Sequence, residues 1–290
     1  MSRVTIIFVS ILGILFNFHF VFGTQEKGLK EKTTYLDEQE RVIKEIRTYL
    51  EPNAKYQGFY QQIIYFDKSG RKSKTEKLYT KNSFLTKSIE TYNRIGNVSV
   101  VEKWFADSKN NQGIARSIFF LDPNGVKSKV EIYPIEEQVI KSGIDKIIYH
   151  FDKQGNKLYE EEFVSKEIID KTNFTKSVTY YHRSGVKKRE EWSMSKKYVL
   201  EKHITKIIFY FDKNQNETKQ ESYYTNDKSI DQGYYKSISY FDDNEKRLKE
   251  ERFYLQNSSR KKAYYRGVLF FDEDGNLITE DKYDRFGNKF

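Results

Sequence analysis

Apolar residues in this chain fall in short recurring runs. Ile63-Ile64-Tyr65-Phe66, Ile118-Phe119-Phe120-Leu121, Ile147 to Phe151, Ile207 to Phe211 and Val268-Leu269-Phe270-Phe271 are β-branched and aromatic. They are of strand length and lack the spacing of a helical face, so each predicts a β-strand. A polar cluster follows each run, then a charged stretch that ends in a second apolar patch: Leu78-Tyr79, Trp104-Phe105, Tyr133, Phe163, Trp192, Tyr223-Tyr224, Phe253-Tyr254 and Tyr283. The unit is therefore strand, tight turn, strand. An aromatic-then-Asp step marks its beat at Asp37, Asp67, Asp122, Asp152, Asp212, Asp242 and Asp272, with Asn93 and His182 in the two remaining places. The intervals are close to 30 residues, apart from a shorter second one of 26. A fixed period means that one supersecondary unit is copied and that each copy buries its apolar surface against its neighbours.

The predicted fold is all-β. It is an elongated antiparallel meander of about nine β-hairpin repeats in a single twisted sheet. Gly28 to Leu50 has some helical spacing at Val42, Ile46 and Tyr49, but its beat is in register, which favours a first hairpin. The connectors of about 10 to 14 residues are irregular, and Tyr198 to Ile204 is apolar enough to extend the strand after it.

The turns share one chemistry. Asp67-Lys68-Ser69-Gly70, Asp122-Pro123-Asn124-Gly125, Asp152-Lys153-Gln154-Gly155 and Asp272-Glu273-Asp274-Gly275 offer an Asp to cap the backbone and a Gly to take a left-handed conformation. Gly96 and Gly185 fill the same slot, whereas Glu40, Gln215 and Glu245 replace it. Left-handed backbone costs such residues about 1 kcal/mol. These three turns are expected to be looser or of another type.

Before the array comes Arg3, an apolar run from Val4 to Phe16, and then polar residues from Thr24. This order fits a secretory signal over residues 1–23, with the array over 24–290; an uncleaved anchor is the alternative. The sequence has no cysteine, so no disulfide, thiolate metal site or lipid-bearing Cys is available. An exported protein, periplasmic, secreted or at the cell surface, is the expectation. The formal net charge is +9, but Lys, Arg and Glu are interspersed through every unit. That describes a solvated sheet surface rather than a nucleic-acid groove.

Two charged columns follow the beat. Nine residues after it stand Glu76, Glu102, Glu131, Glu161, Glu191, Glu221, Glu251 and Asp281; six before it stand Lys87, Arg116, Lys146, Lys176, Lys206, Lys236 and Arg266. They read as structural pairs across each hairpin, with one open point: a Gly bulge shifts the register by one and would set the columns on opposite faces. Repetition argues against catalysis, since an active site needs one asymmetric constellation. Asp272, Asp274, Gly275 and Asn276 faintly resemble a calcium loop but lack its closing Glu. His150, His182 and His203 share no position in the unit. No catalytic, cofactor-binding or metal-ligating residue is expected, and no cofactor. The unit holding His182, Trp192 and His203 is the one weak enzyme candidate.

Tyr and Phe number 23 and 22. Rows of rings on a sheet could stack on sugars, or could be what packs a thin sheet. The tail Phe271-Asp272-Glu273-Asp274-Gly275-Asn276-Leu277 and Tyr283-Asp284-Arg285-Phe286-Gly287-Asn288 resembles the core of bacterial YD repeats, and the array resembles MORN-like hairpin repeats. The resemblance implies a scaffold, shell or binding surface rather than an enzyme, and transfers no functional residue. The expected function is a non-enzymatic binding surface for a protein or cell-envelope polymer, with carbohydrate binding as the alternative. Unpaired sheet edges further suggest self-association.

Overall fold

The computed structural model describes residues 3–8, 17–19, 28–51, 58–106, 113–225, 233–255 and 264–290. Two compact units emerge. The first runs to Glu137 and includes Lys153–Gly155; the second comprises Gln138–Asp152 and Asn156–Phe290. The first contains β1 (Arg3–Phe8), β2 (Asn17–His19), β3 (Leu29–Leu36), β4 (Val42–Tyr49), β5 (Phe59–Phe66), β6 (Lys72–Tyr79), β7 (Leu85–Tyr92), β8 (Val98–Phe105), β9 (Ile114–Leu121) and β10 (Lys127–Pro134). From β3 to β10 each strand pairs antiparallel with the next. β1 lies parallel to β3 and pairs with β2. The expected signal segment otherwise falls outside the described residues, and so does its cleavage region.

The second unit continues the pattern with β11 (Ile144–Phe151), β12 (Lys157–Val164), β13 (Phe174–Tyr181), β14 (Lys187–Met194), β15 (Ile204–Phe211), β16 (Glu217–Tyr224), β17 (Tyr234–Phe241), β18 (Arg247–Tyr254), β19 (Arg266–Phe271) and β20 (Leu277–Tyr283). Again every strand pairs antiparallel with its successor. The all-β meander of nine hairpins, the first at Gly28 to Leu50 included, stands as expected.

One hydrogen-bond scheme closes the hairpins. In the β5–β6 turn Gly70 N–H donates to the Asp67 carbonyl at 2.9 Å and Asp67 N–H to the Arg71 carbonyl at 2.8 Å. The Asp67 Oδ1 accepts from Ser69 N at 2.9 Å and Arg71 N at 3.0 Å, capping the turn as its residue type requires. Asp37, Asn93, Asp122, Asp212, Asp242 and Asp272 do the same. Turn tips are also tied to their neighbours. Arg71 reaches the Arg94 carbonyl at 2.8 Å and Asn97 the Pro123 carbonyl at 3.0 Å.

The three turns without glycine correct the sequence expectation. Glu40, Gln215 and Glu245 take φ of 58°, 72° and 61°, and their N–H groups make the same bond to Asp37, Asp212 and Asp242. Four satisfied turn and cap bonds outweigh one strained residue, so the turn type survives the loss of Gly. Glu40→Gly is accordingly expected to stabilise the chain by about 0.5–1 kcal/mol, the left-handed cost less the entropy of glycine. A higher urea midpoint measures it; an unchanged or lower one would show the turn to be unstrained.

A second correction concerns the connectors. Tyr198 to Ile204 does not extend β15; Lys196–Lys202 forms a helix, α2, as Glu136–Ser142 forms α1 ahead of β11. The Ser195 hydroxyl accepts from Tyr198 N to start α2, and His203, at φ 61°, ends it. The short second interval of the repeat is a trimmed connector. Between β6 and β7 the chain turns on a bond from Ser83 N to the Thr80 carbonyl at 3.0 Å.

Candidate binding surface

Register decides which side chains share a face. On entering the second strand of a hairpin the chain skips one residue, as between Glu217 and Lys219, and a matching skip occurs between Ile204 and Lys206. The Gly-bulged turn alone would have set the Lys and Glu columns on opposite faces. This additional bulge restores the parity, so both columns lie on one face. The bulged residues Ser99, Ser128 and Thr218 hold the irregularity by donating their hydroxyls to Thr91, Phe120 and Tyr210 carbonyls.

Across the middle of that face runs an alternating row. In the first unit it reads Ile63, Glu76, Ile89, Glu102, Ile118, Glu131. In the second it reads Ile148, Glu161, Val178, Glu191, Ile208, Glu221, Ile238, Glu251, Val268, Asp281. The pairing differs from expectation in one respect. The Glu column binds not the Lys of its own hairpin but the Lys or Arg of the next: Lys87 to Glu76 at 3.1 Å, Arg116 to Glu102 at 2.6 Å, Lys236 to Glu221 at 2.7 Å, and likewise Lys176 to Glu161 and Lys206 to Glu191. A second cation two residues back on the same strand completes several of these sites, as Lys74 does for Glu76 at 2.7 Å and Lys219 for Glu221 at 2.9 Å. Burial pushes the Glu221 carboxyl up, but bonds from Lys236, Lys219 and the Tyr223 hydroxyl outweigh it and hold the pKa at about 2.

Rings flank the row on both sides and carry the cations. Lys74 lies 4.3 Å from the Tyr65 ring centroid, Lys129 3.9 Å from Phe120, Arg189 4.1 Å from Tyr180 and Lys219 3.7 Å from Tyr210. On the other flank Lys236 lies 5.0 Å from Tyr223 and Arg266 4.5 Å from Tyr283. The lysine stems cover apolar surface while their heads reach the glutamates. This accounts for much of the aromatic content of that face. On the opposite face, rings at the connector end pack edge to face: Tyr224 with Tyr234 at 5.0 Å, Tyr234 with Tyr254 at 5.9 Å and Tyr254 with Tyr264 at 4.9 Å. Tyr254 is buried there.

The atypical histidines are not brought together. His182 sits in the β13–β14 turn and His203 at the end of α2, so the eight residues of β14 separate them, about 25 Å of strand. His150 stacks on Tyr159 at 4.1 Å and bonds Glu161 at 2.9 Å. The faint calcium loop is a turn: Asp272 Oδ1 accepts from Asp274 N and Asn276 N, and Oδ2 from the Asn276 amide. Among the described residues no group of His, Asp and Glu is placed to hold a metal ion.

Exposed apolar residues lie elsewhere, at the edges of the repeat. Ile140 on α1 and Leu200 on α2 are 71% and 68% exposed, each twelve residues before its beat at Asp152 and Asp212. Ile43, Leu158, Leu248 and Ile278, the residues skipped at the bulges, are exposed as well. Sequence reading missed these positions, since it placed α2 in a strand and could not locate the bulges.

No family model and no curated protein matches the chain. Among solved structures it is similar to TcdB2-TccC3, at 11% identity and a TM-score of 0.18 over 89% of this chain and 15% of that one. It is also similar to a Photorhabdus luminescens Tc holotoxin pore, at 11% identity and a TM-score of 0.22 over 100% of this chain and 16% of that one. The chain spans about a sixth of the length of these solved chains. Likeness at this level assigns no family.

Proposed function

We propose that the chain is an exported, non-enzymatic repeat scaffold that presents a binding surface to a protein or cell-envelope partner. The observation that carries this reading is the placement of the exposed aliphatics. Ile140 and Leu200 occur at one and the same position of the unit, on helical connectors of the second unit, while the strand rings and glutamates are engaged within the sheet. A protein that engages most of its strand side chains in internal ladders and leaves apolar groups exposed on its connectors and bulges is built to be held by them. Export rests on the sequence order of Arg3, the apolar run and the polar residues after Gly23.

The test is retention of envelope-extract components by the immobilised chain and by an Ile140→Glu/Leu200→Glu variant. A drop of about tenfold in specifically retained material, at an unchanged thermal midpoint, is the expected result. Equal retention by both proteins would remove the connector surface from the account.

A further inference from the structure

Three successive connectors stand side by side at one end of the sheet. α1 leads into β11, residues 165–172 lead into β13 and α2 leads into β15, each two strands further along. Backbone bonds tie the row together: Ser165 N–H donates to the Gly143 carbonyl at 2.8 Å and Ser195 N–H to the Asn173 carbonyl at 2.9 Å. α1 and α2 are matched in shape and opposite in charge. Their seven positions agree one for one in exposure, with the first, second, fifth, sixth and seventh exposed. The fifth is Ile140 in one and Leu200 in the other. Around it the signs are exchanged. Glu136 and Glu137 stand where α2 has Lys196 and Lys197, and Lys141 stands where α2 has Glu201. The connector between them is balanced, with Lys166 and Glu167 at the first two positions. Along the row the charge at these two positions runs from two negative through none to two positive, which is antisymmetric about the middle connector. A contact with a foreign partner needs no such antisymmetry. A two-fold contact between identical surfaces does, because residue i of one copy meets residue j of the other and j meets i.

We infer that this row of connectors pairs with the same row of a second copy of the chain, across a two-fold axis at the Lys166–Glu167 connector, so that α1 of each copy lies beside α2 of the other. The pairing names a partner for the connector surface and rests on the reading of that surface given above. With first turn beside first turn, Glu136 and Glu137 meet Lys196 and Lys197, Lys141 meets Glu201, and Ile140 packs on Leu200; the two-fold axis makes the contact twice. At the axis Lys166 and Glu167 meet their own copies, one sign against the other. The alternative that sets α1 on α1 opposes Glu136 and Glu137 to themselves and is rejected by repulsion. The helices are short and their charges exposed, so the contact is weak, and its ion pairs choose which surfaces meet more than how tightly they hold. Because the chain carries +9, two copies repel at long range, and association has to come from this local match.

Sedimentation equilibrium of the full chain, from the micromolar to the millimolar range, tests the pairing. The expected result is a monomer–dimer equilibrium that stops at the dimer. Lys196→Glu/Lys197→Glu and Glu136→Lys/Glu137→Lys should each weaken it about tenfold, because each sets like charges together in both contacts of the pair. An equimolar mixture of these two variants should recover the parental affinity, since α1 of each then meets an α2 of opposite sign in the other. Lys153→Glu/Lys213→Glu, the same change of charge on turn tips at the other end of the hairpins, should leave the equilibrium within about twofold. A mixture that pairs no better than either variant alone overturns the proposal, and so does association that ignores both reversals, which places the contact elsewhere, as at the sheet edges. A strictly monomeric chain whose retention of envelope components still falls in Ile140→Glu/Leu200→Glu overturns the pairing alone and leaves the connector surface to a foreign partner.

Discussion

Glu221→Ala is expected to cost about 2–4 kcal/mol at pH 7, the largest loss from any single carboxylate of the ladder. Glu221 is only 6% exposed and is reached by Lys219, Lys236 and the Tyr223 hydroxyl at 2.9, 2.7 and 2.8 Å. Truncation leaves two cations and a hydroxyl facing a gap, and removing one member of a buried pair costs more than the pair contributes. Urea unfolding at two pH values makes the claim specific. The carboxyl is held at about 2 in the fold against an ordinary value of 4.5, so its contribution is complete above about 4.5 and is lost as the pH falls towards 2. Parent and variant should therefore differ at pH 7 and converge near pH 2.5. A difference that persists undiminished in acid would mean that Glu221 acts through packing alone.

Glu217→Gln is expected to run the other way, stabilising the chain by about 1–2 kcal/mol at pH 8 and by nothing measurable near pH 4. Glu217 occupies a position where neighbouring units carry Lys157, Lys187 and Arg247, each lying over the ring just ahead of the next beat, at 3.8 Å for Lys157 on Tyr181 and 4.2 Å for Lys187 on Phe211. Its Oε1 is buried without a hydrogen-bond partner. Burial first, and the Glu245 carboxylate second, push its pKa up to about 7. A group whose pKa is raised by folding favours the fold while it is protonated, so its contribution is present below about 4.5 and is lost as the pH rises through 7. The magnitude is set below the full value of such a shift because Glu217 is only partly buried and solvent screens it. Glu217→Lys should restore the column and stabilise the chain at pH 8 in the same way. A Glu217→Gln variant as stable as its parent at pH 8 would show that water or a proton donor already satisfies the carboxyl.

The repeat was legible because it is written in turn chemistry. Asp67 with Gly70 and Asp122 with Gly125 announce their hairpins from four residues, since few other residues cap and close such a turn. Glu40, Gln215 and Glu245 were misjudged because local strain was weighed without the bonds that surround it. That Lys236 and Glu251 share a face depends on a bulge at Leu248, and nothing in a Leu announces that it will be skipped. The connector helix at Lys196–Lys202 hid behind Tyr198, Val199 and Leu200, an apolar run that serves a strand or one turn of helix equally well.

The offset between each glutamate and its cation has a consequence for synthesis. Because Glu191 waits for Lys206, and Glu221 for Lys236, a hairpin leaving the ribosome carries a carboxylate with only the cation of its own strand until about fifteen further residues have emerged. Growth is thus directional: each newly made segment completes the one before it and opens a vacancy for the one after. At β20 the turn from Asp284 to Gly287 delivers Lys289 to Asp281 at 2.8 Å and to a bridge with Tyr283, so eight residues supply what elsewhere takes the start of a further hairpin. In that loop the answering cation comes eight residues after its carboxylate instead of fifteen.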